Sequence, residues 1–232
     1  MRRDALTVVS IAIVAYALAN VIHEILGHGG ACLLIGARVE EFSSLHCACS
    51  VGSRFVAAAG CIANVIAAAI GLLAFRARKT YFWWLFTTIN LLMPAGYLLF
   101  SGVMKVGDWV QVFHDVPQLV WRPILAVIGG GLYYLAARYT ARMFNARRLN
   151  LIAYFTGGIL YCVSGLFNPH GPLLIAISAA AASFGGTSGL IWMVDFMRGG
   201  EEAAIERSYA WIASAAVVAV VFVGVLGPAI RF

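Results

Sequence analysis

Long apolar segments separated by short polar ones are the main pattern along this chain. A helix needs roughly 17–25 predominantly apolar residues to cross the hydrocarbon core of a bilayer. Seven segments of that kind are present. They predict membrane spans at Leu6–Ile35, Phe55–Phe75, Tyr81–Met104, Leu119–Ala137, Leu151–Phe167, Pro172–Phe196 and Tyr209–Ile230.

The fifth and sixth spans are separated only by Asn168-Pro169-His170-Gly171-Pro172. Two prolines in five residues predict a turn that ends one helix and starts the next. If this segment is a kink instead, the number of spans is six. The pattern therefore predicts an all-α, polytopic transmembrane bundle of six or seven spans, within a single integral membrane domain over residues 1–232.

The composition also indicates a membrane protein. Of the 232 residues, 62% are hydrophobic and 11% are charged, and the mean hydropathy is +0.89. A soluble domain needs more charge to cover its surface, so the lipid bilayer is predicted to surround most of this protein. The net charge of +6 is scattered over loops. Because no basic tract interleaved with aromatic residues is present, nucleic acid is not a predicted partner.

The basic residues indicate an orientation, because cytoplasmic loops carry an excess of lysine and arginine. Alternation of the spans puts one group on the side of the amino terminus: Arg2, Arg3, Arg76, Arg78, Lys79, Arg138, Arg142, Arg147 and Arg148. A smaller group falls on the other side: Arg38, Arg54, Lys105 and Arg122. This imbalance predicts a cytoplasmic amino terminus.

The cysteines do not predict the disulfide framework of a secreted protein, because several of the five fall within or beside apolar spans. They are Cys32, Cys47, Cys49, Cys61 and Cys162. The segment His46-Cys47-Ala48-Cys49 leaves three interpretations open. With Cys32 or Cys61 it could hold a second metal ion, it could form a disulfide, or it could consist of loop residues without a special role.

Ionisable residues inside a membrane span are costly and mark functional sites. The first span contains His23, Glu24 and His28 in its last third. Two imidazoles and a carboxylate suit a hydrolytic zinc site, in which neutral histidine nitrogens bind the metal and a glutamate acts as general base on water. The alternative is that His23 and Glu24 are a buried polar pair that holds helices together.

The spacing of this motif differs from the common HExxH zinc motif, in which the histidines lie four residues apart on one helix face. His23 and His28 lie five residues apart, and a regular α-helix would rotate them by about 140° relative to one another. A π-bulge would return both side chains to one face. We therefore predict a distorted helix within Glu24–His28. The spacing resembles the HELLGH zinc motif of the dipeptidyl-peptidase III family.

The segments that follow extend the resemblance to a second family. The segment Val21–Trp109 resembles the site-2 protease family of intramembrane zinc metalloproteases, because several of that family's motifs occur in it in the same order. Gly36–Ser43 fits the strand after that family's zinc motif, and Ala59-Gly60-Cys61-Ile62-Ala63-Asn64 fits its Ala-Gly-Pro-x-x-Asn, with Cys61 in place of proline. Asn90-Leu91-Leu92-Met93-Pro94 fits the segment before its last zinc ligand, and Gly107-Asp108-Trp109 follows later than in the usual Leu-Asp-Gly form.

This resemblance implies that His23, His28 and Asp108 bind Zn²⁺ and that Glu24 is the catalytic base. It also implies that Asn64 and Asn90 hold the substrate backbone or the oxyanion. Interhelical hydrogen bonds are the alternative for both asparagines. Residues 1–110 would form the catalytic core and residues 111–232 would add further helices.

The assignment of Asp108 as the third ligand agrees with the order of the spans, but two alternatives stay open. The first and third spans run in the same direction, so His28 and Asp108 reach the same membrane face. Asp108 could instead be a loop residue that caps a helix, and Asp115 beside His114 is a weaker alternative ligand.

The predicted function is an intramembrane zinc endopeptidase in the cell (inner) membrane, whose partner is a membrane-protein substrate cleaved within or near its spanning segment. The family's orientation implies an active site towards the cytoplasmic face, opposite to what the basic residues indicate. The alternatives are a non-catalytic metal-binding protein of the same fold, and a transporter whose histidines and aspartate line an ion path.

Overall fold

The computed structural model describes residues 4–197 and 203–232, and it confirms the all-α, polytopic architecture. Six of the helices in this described part are long and apolar enough to cross a membrane, and a seventh apolar helix is shorter. The helices are α1 (Ala5–Leu34), α2 (Arg54–Arg78), α3 (Tyr81–Met104), α4 (Asp108–Val112), α5 (Gln118–Ala141), α6 (Leu149–Leu166), α7 (Pro172–Phe196) and α8 (Tyr209–Val225).

The turn predicted between the fifth and sixth spans is present and separates α6 from α7. The Asn168 side chain accepts a hydrogen bond from the backbone N–H of His170 at 3.0 Å, as in a turn closed by an asparagine. Gly171 adopts a φ of +83°, which glycine tolerates without a steric penalty. The alternative of a kinked single span is therefore wrong.

The end of the seventh predicted span is corrected by the structure. Helix α8 ends at Val225 and does not continue to Ile230. Gly227 and Pro228 follow closely, and proline lacks the N–H that would continue the helix. Ile230 instead belongs to a short strand.

Helix α1 lies at the centre of the bundle and packs against α2, α3, α6 and α8. Its Tyr16 is fully buried, with its hydroxyl 2.7 Å from the Thr187 hydroxyl of α7. The Tyr16 carbonyl accepts a hydrogen bond from the Tyr161 hydroxyl of α6 at 3.0 Å. Gly157 leaves room for the ring, because a Cβ there would lie 2.3 Å from it. Small residues and polar bonds of this kind hold helices together within a membrane.

A small sheet covers the end of the bundle at which α1 finishes. It comprises β1 (Val39–Phe42), β2 (Cys47–Cys49) and β3 (Ile230–Arg231) in the order β2-β1-β3, with both pairs antiparallel. The strand predicted within residues 36–43 is confirmed as β1. Among the described residues, the outer edge of β2 has no strand partner.

Two links fix this sheet in place. Cys32 of α1 forms a disulfide with Cys49 of β2. The buried carboxylate of Glu41 in β1 accepts a hydrogen bond from Arg231 at 2.9 Å and lies 2.7 Å from Nε2 of His170. Burial raises the pKa of Glu41, but His170 and Arg231 outweigh it and hold that pKa below its usual value. Because the lowered pKa favours the ionised form in the folded state, this contribution to stability is present at neutral pH and is lost as the pH falls through that pKa.

Candidate metal centre

The centre begins with a change of helix type inside α1. Residues Ile22–Gly29 form a π-helix, whose backbone hydrogen bonds join residues five apart. The predicted distortion within Glu24–His28 is therefore confirmed, and it extends over a longer segment than a single bulge. Residues five apart now share one face, so His23 and His28 both point into the bundle.

Three ligand-type atoms converge at this point. Nε2 of His23 lies 3.1 Å from Oδ2 of Asp108, and Nε2 of His28 lies 3.6 Å from the same oxygen. The two Nε2 atoms are 3.2 Å apart. Within residues 4–197 and 203–232, this is the one group of three or more histidine, cysteine, aspartate or glutamate side chains close enough to hold a metal ion. The group could hold a metal ion, as the sequence predicted for these three residues.

Asp108 reaches the histidines because the chain reverses after α3. Lys105 adopts a left-handed conformation at the end of that helix, and Gly107 has a φ of +89°. The Ser101 hydroxyl donates to the carbonyl of Val106 at 2.8 Å and holds this reversal against α3. Asp108 then begins α4, with its carboxylate directed back at α1.

A chain of hydrogen bonds determines which ring nitrogen of His23 is the donor towards Asn64. The carbonyl of Phe86 can only accept, so the amide nitrogen of Asn90 donates to it at 2.8 Å. The side-chain oxygen of Asn90 then accepts from the amide nitrogen of Asn64 at 2.8 Å. That nitrogen also donates to the carbonyl of Ala19 at 3.0 Å, which leaves the Asn64 oxygen facing Nδ1 of His23 at 2.7 Å. His23 therefore donates from Nδ1, and in the neutral ring Nε2 presents a lone pair.

The second histidine, His28, is oriented by a hydrogen bond to a backbone carbonyl. Nδ1 of His28 lies 2.7 Å from the carbonyl oxygen of Val56, which can only accept a hydrogen bond. The neutral His28 ring therefore also directs the lone pair of Nε2 towards Asp108. Two lone pairs and a carboxylate oxygen facing one point repel each other unless protons or a cation lie between them. This arrangement of donor atoms fits a cation.

Gly60 of α2 makes room for both rings. A Cβ on this residue would lie 2.6 Å from Nε2 of His28 and 2.7 Å from Nε2 of His23. Gly60 also lies against Gly27 of α1, where a Cβ would come within 2.6 Å of the Gly60 Cα. The backbones of α1 and α2 approach each other closely at the level of the ligands as a result.

A cavity of about 490 Å³ opens beside two of the three candidate ligands, His28 and Asp108. Glu24 lines it, and within the described residues its buried carboxylate makes no hydrogen bond. Tyr97 of α3 also lines it, with its ring centroid 4.8 Å from that of His23. The rest of the wall includes strand β2 and small residues of α7: Cys47, Ala48, Cys49, Ser178, Ala181 and Ala182.

The other candidates from the sequence lie elsewhere. Asp115 is exposed and pairs with Arg54 and with His114, so it is not placed to bind an ion with the two histidines. Of the three interpretations of His46–Cys49, the disulfide is the one the structure contains, through Cys49 and Cys32.

Cys47 is a free cysteine in the cavity wall. Burial, and secondly the charge of Glu24, raises the pKa of its thiol to about 12. The thiolate is the form that binds metals and attacks substrates, so a neutral thiol makes Cys47 unsuited to either role at neutral pH.

Asn64 and Asn90 lie behind His23, and neither lines the cavity. Both side chains are fully buried, with every hydrogen bond described above made to the protein. The geometry supports a role in orienting His23, while the substrate role implied by the resemblance stays a prediction. Tyr97 was missed by sequence reasoning, since a tyrosine in an apolar span gives no signal of its own until its neighbours are known.

Comparison of the whole chain with known protein families, with characterised proteins and with solved structures finds no match.

The first prediction from this geometry concerns the third ligand. Replacing Asp108 by alanine removes one of three converging donor atoms, and we expect a loss of at least about tenfold in metal affinity. Asp115→Ala is the matched control, because it alters the same polar loop without touching the cluster. Metal content of the purified proteins after dialysis measures both. Equal metal in wild type and Asp108→Ala would contradict the assignment.

The second prediction concerns the space that Gly60 leaves. Gly60→Ala puts a methyl group where the imidazoles lie, so we expect the protein to fold but to lose bound metal, with a cost of about 1–3 kcal/mol in stability from overpacking. Gly30→Ala is the control, since nothing lies within 4 Å of a Cβ there. Metal content and thermal unfolding in detergent are the measurements. Normal metal binding by Gly60→Ala would show that the two helices do not approach as described.

Proposed function

We propose that this protein is a zinc-dependent endopeptidase that acts on other membrane proteins at the level of the bilayer. The observation that carries the proposal is the convergence of His23, His28 and Asp108 beside a free carboxylate in a cavity. Each histidine is fixed by a protein acceptor at Nδ1, as is usual for metal-binding histidines.

The spacing of the ligand atoms supports zinc. Zinc binds imidazole nitrogen and carboxylate oxygen at about 2.0–2.2 Å in tetrahedral sites, so its ligand atoms lie about 3.3 Å apart. The three separations in this protein are 3.1, 3.2 and 3.6 Å. Catalytic zinc sites use three protein ligands and leave the fourth position open, and this site offers three.

His23, His28 and Asp108 would hold the zinc ion, which when bound would supply a Lewis acid to polarise water and the scissile carbonyl. Glu24 follows His23 directly in the chain and faces the same cavity. Its carboxylate accepts a proton from water as the water oxygen bonds to the carbonyl carbon. It then gives that proton to the amide nitrogen as the C–N bond breaks, so one proton moves from water to the leaving amine and Glu24 is restored.

The position of the cavity supports a substrate from within the membrane. His28 lies six residues before the end of α1, roughly 9 Å along the helix axis from that end. The cavity wall includes β2, whose outer edge has no strand partner within residues 4–197 and 203–232 and could pair with an extended peptide. A helical span would have to unwind locally to pair with this edge and present its backbone.

The third prediction tests the whole proposal. Glu24→Gln keeps the shape of the side chain but removes the base, so we expect zinc content to stay near one per chain and cleavage to fall by about 10²–10⁴. Glu40→Gln is the control, because Glu40 is an exposed glutamate of β1. The assay uses purified protein in liposomes with a single-span reporter that carries Gly-Pro interruptions. Zinc binding by wild type without any cleavage would favour the non-catalytic alternative, and full activity of Glu24→Gln would rule out this mechanism.

The fourth prediction concerns Tyr97 as the donor to the oxyanion. Its hydroxyl makes no hydrogen bond among the described residues, and its ring lies against His23 in the cavity wall. We expect Tyr97→Phe to retain zinc and to lose about 10²–10³ in kcat, as when one oxyanion donor is removed.

Tyr139→Phe is the matched control for this change, because Tyr139 lies far along α5 and is exposed. If Tyr97→Phe cleaves the reporter at the wild-type rate while Glu24→Gln does not, the oxyanion assignment is wrong and the base assignment stands.

A further inference from the structure

The side of the membrane on which this centre opens can be inferred from features that the proposed function does not use. Consecutive spans alternate in direction, so the ends of α1, α3, α6 and α8 share one face, which we term the site face. The backbone N–H of Ser44, in the loop between β1 and β2, donates to the carbonyl of Leu226 beyond α8 at 3.0 Å, as this arrangement requires. On the opposite face, the N–H of Asp4 donates to the carbonyl of Ile205 at 2.9 Å.

The first feature is the disulfide on the site face. Cys32 lies near the end of α1, four residues beyond His28, and its partner Cys49 lies in the cavity wall. Structural disulfides persist in oxidising compartments such as the periplasm or the cell exterior, and they are rare where glutathione and thioredoxin keep thiols reduced. A disulfide on the site face therefore favours a site face outside the cytoplasm.

The second feature is the distribution of basic residues, which is independent of the cysteines. The opposite face carries eight of those that the structure describes: Arg76, Arg78, Lys79, Arg138, Arg142, Arg147, Arg148 and Arg207. The site face carries five: Arg38, Arg54, Lys105, Arg122 and Arg231. Arg2, Arg3 and Arg198 lie outside the described residues. Since short cytoplasmic loops are enriched in lysine and arginine, the opposite face is the cytoplasmic one.

We infer that the metal centre opens to the non-cytoplasmic face, and that its substrates are membrane proteins whose cleavable segment lies on that side. The second half of this inference rests on the proposed function, whereas the orientation does not. The cytoplasmic orientation implied by the family resemblance stays a prediction, and the two features above favour its opposite. A protease with this orientation would act on segments exposed in the same compartment that forms the disulfide.

The orientation is tested by labelling single added cysteines in intact cells that carry the full chain in the inner membrane, with the outer membrane made permeable. His114→Cys adds a thiol to an exposed position on the site face, and Arg78→Cys adds one to the opposite face. The unchanged protein gives the background from its free cysteines. We expect a membrane-impermeant maleimide to label His114→Cys before lysis and Arg78→Cys only after lysis. The reverse pattern would overturn the inference.

The disulfide is tested separately by trapping thiols with acid and alkylating them under denaturing conditions. We expect three reactive thiols in the protein as isolated from cells, Cys47, Cys61 and Cys162, and five after reduction. The double variant Cys32→Ser, Cys49→Ser should give three thiols under both conditions. Five reactive thiols before reduction would show that Cys32 and Cys49 are not linked in cells, and would contradict the argument for an oxidising compartment. Neither assay depends on zinc or on cleavage, so failure of the orientation and failure of the proposed function are distinguishable.

Discussion

A regular α-helix turns by about 100° per residue, so it cannot bring side chains five residues apart to one point. The π-helical segment of α1 solves this problem for His23 and His28, and the rest of the centre depends on it. Inside a bilayer the change of helix type is tolerated because every backbone group still has a partner within the helix, five residues away. The wider turn also brings Gly27 against Gly60, so that the neighbouring helix closes around the distortion.

The second requirement is that buried polar groups in a membrane have hydrogen-bond partners within the protein, because the bilayer core contains no water to bind them. The chain from Phe86 through Asn90 and Asn64 to His23 meets this requirement across α3, α2 and α1. It also sets which nitrogen of His23 carries the proton. The same bonds therefore link three helices and orient one candidate ligand, which gives a structural role to the two asparagines in these mainly apolar spans.

Much of this could be predicted from the sequence, for identifiable reasons. Apolar runs fix the number of spans, since a bilayer admits few other structures, and the extra residue between Glu24 and His28 requires a distorted helix. The role of Asn64 is different, because it depends on which way an amide points, and that follows from carbonyls on two other helices. Local sequence patterns likewise do not predict the pairing of Cys32 with Cys49 or the strand at Ile230, since both depend on contacts between distant parts of the chain.

The helices that follow residue 112 also shape the candidate metal centre, although the three candidate ligands lie before them in the chain. Arg122 of α5 holds the end of α3 through the carbonyls of Gly102 and Val103. Only a few residues separate that end from Asp108, so the position of the third candidate ligand depends on contacts with a helix that is itself largely exposed on the surface of the bundle. Helix α7 contributes in another way, because Ala181 and Ala182 are small enough to leave the cavity open opposite β2. The three candidate ligands and Glu24 therefore all lie in the first half of the chain, while the second half helps to shape the cavity beside them.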